Sequence, residues 1–157
     1  MARCRAIRSR RTPASCSSRR NGCQRLSASY SAEQNGPPFR MIVDNGIHVG
    51  MSSDGMQIAP MNPWLHMYYA STGMNSRQVL INGGQTINRT EVLKLYTANN
   101  GWFLQEEDRI GAIEPGKLAD LVVLNHDYFT VPDADLKKTR SVLTVVGGRV
   151  VHDAKVL

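Results

Sequence analysis

An aspartate lies at the point where a short apolar run of the sequence ends. Residues 46–56 read GIHVGMSSDGM, and the apolar run up to Met51 is followed at once by the letters SSDG. If the run is a buried strand, Asp54 follows its carboxyl end, which is where (β/α)8 enzymes place their catalytic residues. A carboxylate there can ligate a cation or take a proton from metal-bound water. The alternative is a plain turn, because Asp-Gly at a strand end is most often only that.

The histidines do not supply the other ligands of a metal site. The chain has four, and no two of them are separated by a single residue: His48, His66, His126 and His152. His48 precedes Asp54 by about 20 Å of extended chain at ~3.3 Å per residue, which would place it at the opposite end of a strand. His66 is conceivable as a substrate contact, but a surface or core-edge position is the commoner one for such a residue. A catalytic zinc has three protein ligands, so we expect Asp54 alone to bind no metal.

Helix signals lie on both sides of this segment. Residues 39–46, FRMIVDNG, have apolar residues at helical spacing and stop at a glycine. Asn62 can cap a helix whose first residue is Pro63. Asn88, followed three residues later by Glu91, predicts a further helix that begins with a capping box. Together with a strand at residues 47–51, this order is typical of an α/β fold.

The last third of the sequence has the pattern of strands. GAIE and ADLVVL, residues 111–114 and 119–124, read as two strands joined by a Pro-Gly turn. Residues 141–153, SVLTVVGGRVVHD, read as a hairpin whose turn is Gly147-Gly148. These patterns predict a small sheet appended to the α/β part.

The charge of the chain is concentrated in its first quarter. The formal net charge is +6, yet residues 1–40 hold nine arginines and one acidic residue, whereas residues 41–157 hold ten basic and twelve acidic residues. All three cysteines also lie in the first quarter. The rest is a mildly acidic sequence without cysteine, which suits a reducing compartment, and we expect a cytoplasmic location.

Three interpretations of residues 1–36 are open, and all three expect this segment to be disordered. A leader rich in Arg and Ser and poor in acidic residues is typical of an organellar transit peptide. Clustered arginines can bind phosphate backbones, although the segment lacks the interleaved aromatic residues of a nucleic-acid platform. The interpretation we favour is translation of a GC-rich stretch outside its coding frame, which gives arginine without lysine.

The length and hydropathy of the chain set further bounds. Its 157 residues are too few for a complete (β/α)8 barrel, which needs about 250. No apolar stretch approaches the roughly 18 residues of a membrane span. We therefore expect no membrane partner.

From about Pro38 onward the sequence resembles the carboxyl-terminal part of the metal-dependent amidohydrolase superfamily, within it amidohydrolase family 3. The matching pieces occur in the order of that family. They are DNGIHVGMSSDG, PMNPWLHMYYASTG, the long run from TINRTEVLKLY to RIGAIEPGKLADLVVLNHD, and VLTVVGGRVVHD. The run RIGAIEPGKLADLVVLNHD is the most specific of these pieces. The resemblance covers about three quarters of the chain.

The resemblance implies a fold, a reaction and a site residue. The fold would be the last part of a (β/α)8 barrel over residues 37–104 and part of a flanking small β-sandwich over residues 105–157. The reaction would be hydrolysis of non-peptide carbon–nitrogen bonds in a small amide-type substrate, by water activated on one or two divalent metals, often zinc. Asp54 would correspond to the aspartate after the last barrel strand, which ligates the metal and acts as general base and then general acid.

The features of the family that this sequence lacks lead to a second expectation. The His-x-His motif of the first strand, the middle-strand ligand and the two later histidines are absent. We expect the chain to be inactive alone, and poorly stable unless a complementing chain supplies the rest of the barrel. Two alternatives remain open, a non-catalytic α/β interaction module and an arginine-rich nucleic-acid-associated protein.

Overall fold

A computed structural model of the chain describes residues 36–55 and 60–155. The predictions for residues 1–35 therefore lie outside the described residues. The described elements, in chain order, are helices α1 (Phe39–Asp44), α2 (Pro63–Thr72), a 3-10 turn (Gly83–Gln85), α3 (Arg89–Tyr96), α4 (Ala98–Phe103), strand β1 (Leu121–Leu124), helix α5 (Asp133–Leu136) and strands β2 (Ser141–Val146) and β3 (Arg149–Asp153). This mixed content confirms an α/β fold at the level of class.

The three predicted helix boundaries are confirmed. Helix α1 ends with Gly46 at a φ of 62°, and the Gly46 and Ile47 amides donate to the Val43 and Ile42 carbonyls, the pattern of a Schellman cap. The Asn62 side chain accepts from the Trp64 amide with Pro63 as the first residue of α2. At α3, the Asn88 side chain and the Glu91 carboxylate each accept from the other's backbone amide, as a capping box does.

The strand predicted at residues 47–51 has no neighbouring strand to pair with in the described part of the chain, so no ladder forms there. The backbone there is extended but carries no ladder. Its polar groups are satisfied by helices instead. The Met51 amide donates to the Leu95 carbonyl at 3.0 Å, and the carbonyls of Val49 and Met51 accept from Asn99 and Asn100. The backbone groups of a strand need hydrogen-bond partners, and here residues of α3 and α4 supply them.

The prediction of a strand at residues 111–114 is wrong. Gly111 has a φ of 91°, which is incompatible with an extended strand. The Pro-Gly turn that follows is confirmed, because Gly116 also has a φ of 91° and the Lys117 amide donates to the Glu114 carbonyl at 3.2 Å. The chain thus turns twice before β1 begins.

The sheet contains three antiparallel strands in the order β1-β2-β3. The hairpin of β2 and β3 around Gly147-Gly148 is as predicted, and both glycines have positive φ, as the turn requires. The Asp120 carboxylate accepts from the Gly147 amide at 2.7 Å, which fixes the turn to the start of β1. The pairing of β1 with β2 shifts in register after Val123.

The core lies between the helices. Its buried members come from α1 to α3, from the extended segment and from the region around α5; they are Phe39, Val49, Met51, Met67, Tyr68, Ala70, Ile87, Val92, Leu95, Tyr128 and Leu136. Residues on both sides of position 104 therefore share one cluster. The division into two domains at that position stays a prediction.

Two ion pairs connect distant parts of the chain to α3. The Arg40 guanidinium donates to both carboxylate oxygens of Glu91, at 2.9 and 3.1 Å, and so joins α1 to the capping box. The Arg89 guanidinium donates to the Tyr128 and Val131 carbonyls and to Asp133, at 2.6 to 2.7 Å. Helix α3 is thus fixed at its amino-terminal end by both neighbours.

Within residues 36–55 and 60–155, no helix has the length and apolar character that crossing a membrane requires.

Candidate functional site

Asp54 lies in an exposed turn at the end of the extended segment. Its φ is 60° and that of Gly55 is 78°, so two successive residues adopt the left-handed conformation. The serines before them stabilise the turn, since Ser52 Oγ accepts from the Asp54 amide at 3.4 Å and Ser53 Oγ from the Gly55 amide at 3.3 Å. Aspartate is one of the few residues that adopt this conformation at modest cost. The two serines and Gly55 thus explain how the local sequence sets the backbone conformation at Asp54.

The extended segment that leads to Asp54 is held by hydrogen bonds from the junction of α3 and α4. Asn99 Nδ2 donates to the Val49 carbonyl at 2.8 Å, and Asn100 Nδ2 to the Met51 carbonyl at 3.0 Å. Gly50 lies between these two contacts, and a Cβ there would collide with Asn100 Oδ1 and approach Phe103 within 2.9 Å. The role of these asparagines was not predicted from the sequence. The only sequence signal for this role is that two adjacent asparagines interrupt an apolar helix face.

Each of the four histidines lies in a different environment. The His48 ring contacts Trp102 with centroids 4.0 Å apart, and Phe103 at 6.0 Å. His126 Nε2 lies 2.8 Å from Thr139 Oγ1, and His152 pairs with Thr144 across two strands.

His66 is buried in the core, deeper than the surface or core-edge position expected for it. Only 8% of the residue is exposed, and Nδ1 lies 2.9 Å from the Tyr96 hydroxyl. Nε2 is buried without a hydrogen-bond partner among the described residues. Burial lowers the pKa of His66 and raises that of Tyr96, so both rings are neutral at pH 7.

This burial makes the stability of the chain depend on pH. The pKa of His66 is lowered in the folded state, so below about 6.5 the unfolded chain binds a proton that the folded chain does not. The free energy of unfolding should therefore be constant above that value and fall as pH decreases, by up to about 1.4 kcal/mol per pH unit. Urea titrations at pH 5.0 to 8.0 measure the slope. His66→Gln should flatten it, whereas His152→Gln, at an exposed position, should not; equal slopes in all three proteins would contradict this explanation.

The described residues do not form a metal site by themselves. Among residues 36–55 and 60–155 there is no group of three or more His, Cys, Asp or Glu side chains close enough to hold an ion. Asp54 offers one suitable oxygen donor, and a catalytic zinc needs three protein ligands. The donor set is therefore incomplete, and no catalytic step can be derived from it.

A cavity of about 590 Å³ lies between α3, α4 and the sheet, apart from Asp54. Its walls are mostly apolar, with Trp64, Leu93, Leu118, Val122 and Phe129 among them. Its polar lining residues include Tyr96, Asn100 and Asp120. Since neither Asp54 nor its serines line it, this cavity is not the site that the sequence indicated.

Comparison with known proteins decides the family. The model of the amidohydrolase family matches residues 14–152, which is most of the chain. The chain belongs to the amidohydrolase family. The match begins at residue 14 and so includes part of the arginine-rich segment, whose interpretation remains open.

Two curated relatives show what fraction of a relative's length this chain matches. It is 30% identical over 123 residues to imidazolonepropionase from Porphyromonas gingivalis, covering 78% of the chain and 27% of that protein. It is 28% identical over 121 residues to the putative amidohydrolase YtcJ of Bacillus subtilis, covering 73% of the chain and 22% of that protein. The chain thus spans about a quarter of the length of these amidohydrolases.

A solved structure supports the same conclusion. The crystal structure of an amidohydrolase from Thermotoga maritima matches with a TM-score of 0.55 and 25% identity, covering 73% of this chain and 25% of that one. The resemblance drawn from the sequence motifs is therefore confirmed at the level of the family.

Proposed function

We propose that this amidohydrolase chain corresponds to the carboxyl-terminal part of a metal-dependent hydrolase of non-peptide carbon–nitrogen bonds, and that Asp54 is an active-site residue. The observation that carries the proposal is the position of Asp54. It follows an extended segment, in a turn that its own neighbours stabilise, within a chain that belongs to the family.

The proposed fold is the end of a (β/α)8 barrel with part of a small β-sandwich. The extended segment at residues 47–51 would be the last barrel strand, without the neighbours that would give it a ladder. Its buried residues support this assignment, because Val49 and Met51 are only 4% and 3% exposed. The three-stranded sheet would be the sandwich part.

In the complete protein, Asp54 would be one ligand of a divalent metal such as zinc, which activates the attacking water when it is bound. The carboxylate would hold and then release a proton, as a general base and general acid do. It stands exposed at the end of a rigidly anchored segment, which suits a residue that faces a substrate. The remaining ligands would come from a complementing chain or from residues beyond those described here.

The incompleteness of the donor set leads to an expected result for the purified chain. With one carboxylate in place of three ligands, it should show no chelator-sensitive hydrolysis of N-acyl substrates and no retention of zinc after gel filtration. Mass spectrometry of metal content and a product assay measure both. The control is Asp54→Asn, which should behave as the parent chain does.

One result would contradict the proposal of an incomplete site. If the purified chain hydrolysed such a substrate, lost that activity on addition of a chelator, and lost it again in Asp54→Asn, the chain would hold a complete site. Binding to DNA that falls steeply with salt would instead favour the nucleic-acid alternative.

A further inference from the structure

A second cavity lies where the chain turns after α4, and we call it the Trp102 cavity. Its volume is about 400 Å³, and its lining residues are Trp102, Phe103, Gln105 and Glu107. Gln105 has a φ of 58°, and its amide donates to the Trp102 carbonyl at 3.1 Å. The Glu106 amide donates to the Gly101 carbonyl at 3.0 Å, so the turn is a Schellman cap that folds back onto the end of the helix.

Two aromatic rings bound this cavity at nearly a right angle. The ring centroids of Trp102 and Phe103 lie 5.1 Å apart, with an interplanar angle of 82°. The His48 ring packs against both of them, with centroids 4.0 Å from Trp102 and 6.0 Å from Phe103. Trp102 is nevertheless 38% exposed. The faces of such rings carry partial negative charge and attract a cation that comes within about 6 Å of the ring centroid.

The charges around the cavity also favour a cation. Of two adjacent carboxylates, that of Glu106 pairs with Arg109 at 2.9 Å, whereas Glu107 forms no hydrogen bond or ion pair with any other residue that the structure describes. The last carbonyls of α4 add partial negative charge at the same end of the helix. If apolar residues from a missing part of the barrel covered the rings, the carboxylate in the cavity would lose water without gaining a partner, which is costly. A cation would satisfy the rings and the carboxylate together.

We propose that the Trp102 cavity binds a small quaternary ammonium compound, with the methylated head against the two rings and its charge towards Glu107. Aromatic rings recognise such a head because it is a cation with an apolar surface. The volume lies within the range of about 300–1,000 Å³ that is usual for small-ligand sites. Since Trp102 stays partly exposed, the bound cation keeps part of its hydration, and the expected Kd is about 1 mM. This proposal does not rest on the proposed hydrolase function.

A metal ion is a poor occupant of the same cavity. Glu107 is the one acidic residue among those that line it, and the described residues contain no group of three or more His, Cys, Asp or Glu side chains that could hold an ion. Hard cations prefer several oxygen ligands, which ring faces do not supply. The chemistry of the cavity therefore favours an organic cation.

A nuclear magnetic resonance titration of the full chain with choline, from 0 to about 20 mM, tests the proposal because this range brackets a millimolar Kd. The chain has two tryptophans, and Trp102→Phe identifies their indole N–H signals while keeping a ring at that position. The Trp102 signal should shift on titration. The Trp64 signal should not, because Trp64 lines the other cavity. The uncharged analogue 3,3-dimethylbutan-1-ol has the shape of choline without its charge, and it should bind at least about tenfold more weakly.

Two carboxamide variants separate the carboxylate in the cavity from the general charge of the turn. Glu107→Gln should raise the Kd for choline by about fivefold, because it removes the negative charge nearest the ammonium group. The matched control is Glu106→Gln, which makes the same change one residue earlier, outside the lining of the cavity, and should alter the Kd by less than about twofold.

Any one of three results would overturn the proposal. These are a Trp102 signal that does not move up to about 20 mM choline, equal affinity for choline and the uncharged alcohol, and equal effects of Glu107→Gln and Glu106→Gln on the Kd.

Discussion

Gly73→Ala should lower the free energy of unfolding of the chain by about 3 kcal/mol or more. Gly73 ends α2 in the left-handed conformation, with a φ of 72°, and its carbonyl accepts from the Ile81 and Asn82 amides at 2.9 and 3.0 Å. A Cβ at this position would lie 2.8 Å from the Asn82 carbonyl carbon and 2.9 Å from the Gly83 nitrogen. Both neighbours are backbone atoms, so no side chain can rotate to make room.

The expected cost follows from adding these two effects. The left-handed conformation costs alanine about 1–2 kcal/mol, and the overlap with backbone adds a displacement of the buried Asn82. Asn82 is only 2% exposed, and its amide donates to the Pro37 carbonyl at 2.9 Å, so it cannot move freely. A total loss of about 3 kcal/mol or more is a large share of the stability of a small domain.

The matched control for this substitution is Gly46→Ala. Gly46 also follows a helix, with a φ of 62°, but a Cβ there would meet no atom within 4 Å. It should lose only the conformational cost of about 1–2 kcal/mol. Tryptophan fluorescence during urea denaturation measures both variants. Equal losses in the two proteins would show that the close approach at Gly73 is not important for the fold.

Local signals in the sequence predicted the helix ends and the hairpin. Asn62, Asn88 and Glu91 act through backbone groups two or three residues away, so their effect does not depend on the rest of the fold. The same holds for Gly147-Gly148, whose positive φ values suit a tight turn between two strands. These elements could be predicted because their partners are near in sequence.

The absence of paired strands at residues 47–51 and 111–114 could not be predicted in this way. A strand exists only where another strand supplies its hydrogen bonds, and an apolar run does not show whether that partner is present. For residues 47–51, the partners are Leu95, Asn99 and Asn100, nearly fifty residues away. For residues 111–114, the conformation of Gly111 overrides the strand-like pattern.

The candidate site was predicted in part. The location of Asp54 at the end of an extended segment agrees with the sequence pattern, because the change from apolar residues to SSDG is local. The asparagine anchors and the His66–Tyr96 contact, which joins α2 to α3 at 2.9 Å, depend on packing between helices. Spacing along the chain carries no signal for contacts of that kind.

A chimera tests most directly whether the carboxylate of Asp54 belongs to the active site of an amidohydrolase. Residues 38–157 would replace the matching segment of the Porphyromonas gingivalis imidazolonepropionase, so that the rest of that protein supplies what this chain lacks. The relevant readouts are kcat/KM for the reaction of that enzyme and the metal content of the purified protein. The control is Asp108→Asn, which removes an exposed carboxylate from a turn that follows α4.

We predict that Asp54→Asn lowers kcat/KM of the chimera by about 1,000-fold or more and reduces its metal content, because it removes a ligand and a proton acceptor together. Asp108→Asn should stay within about twofold of the parent chimera. An Asp54→Asn chimera that keeps both the activity and the metal of its parent would contradict the assignment of Asp54 to the active site.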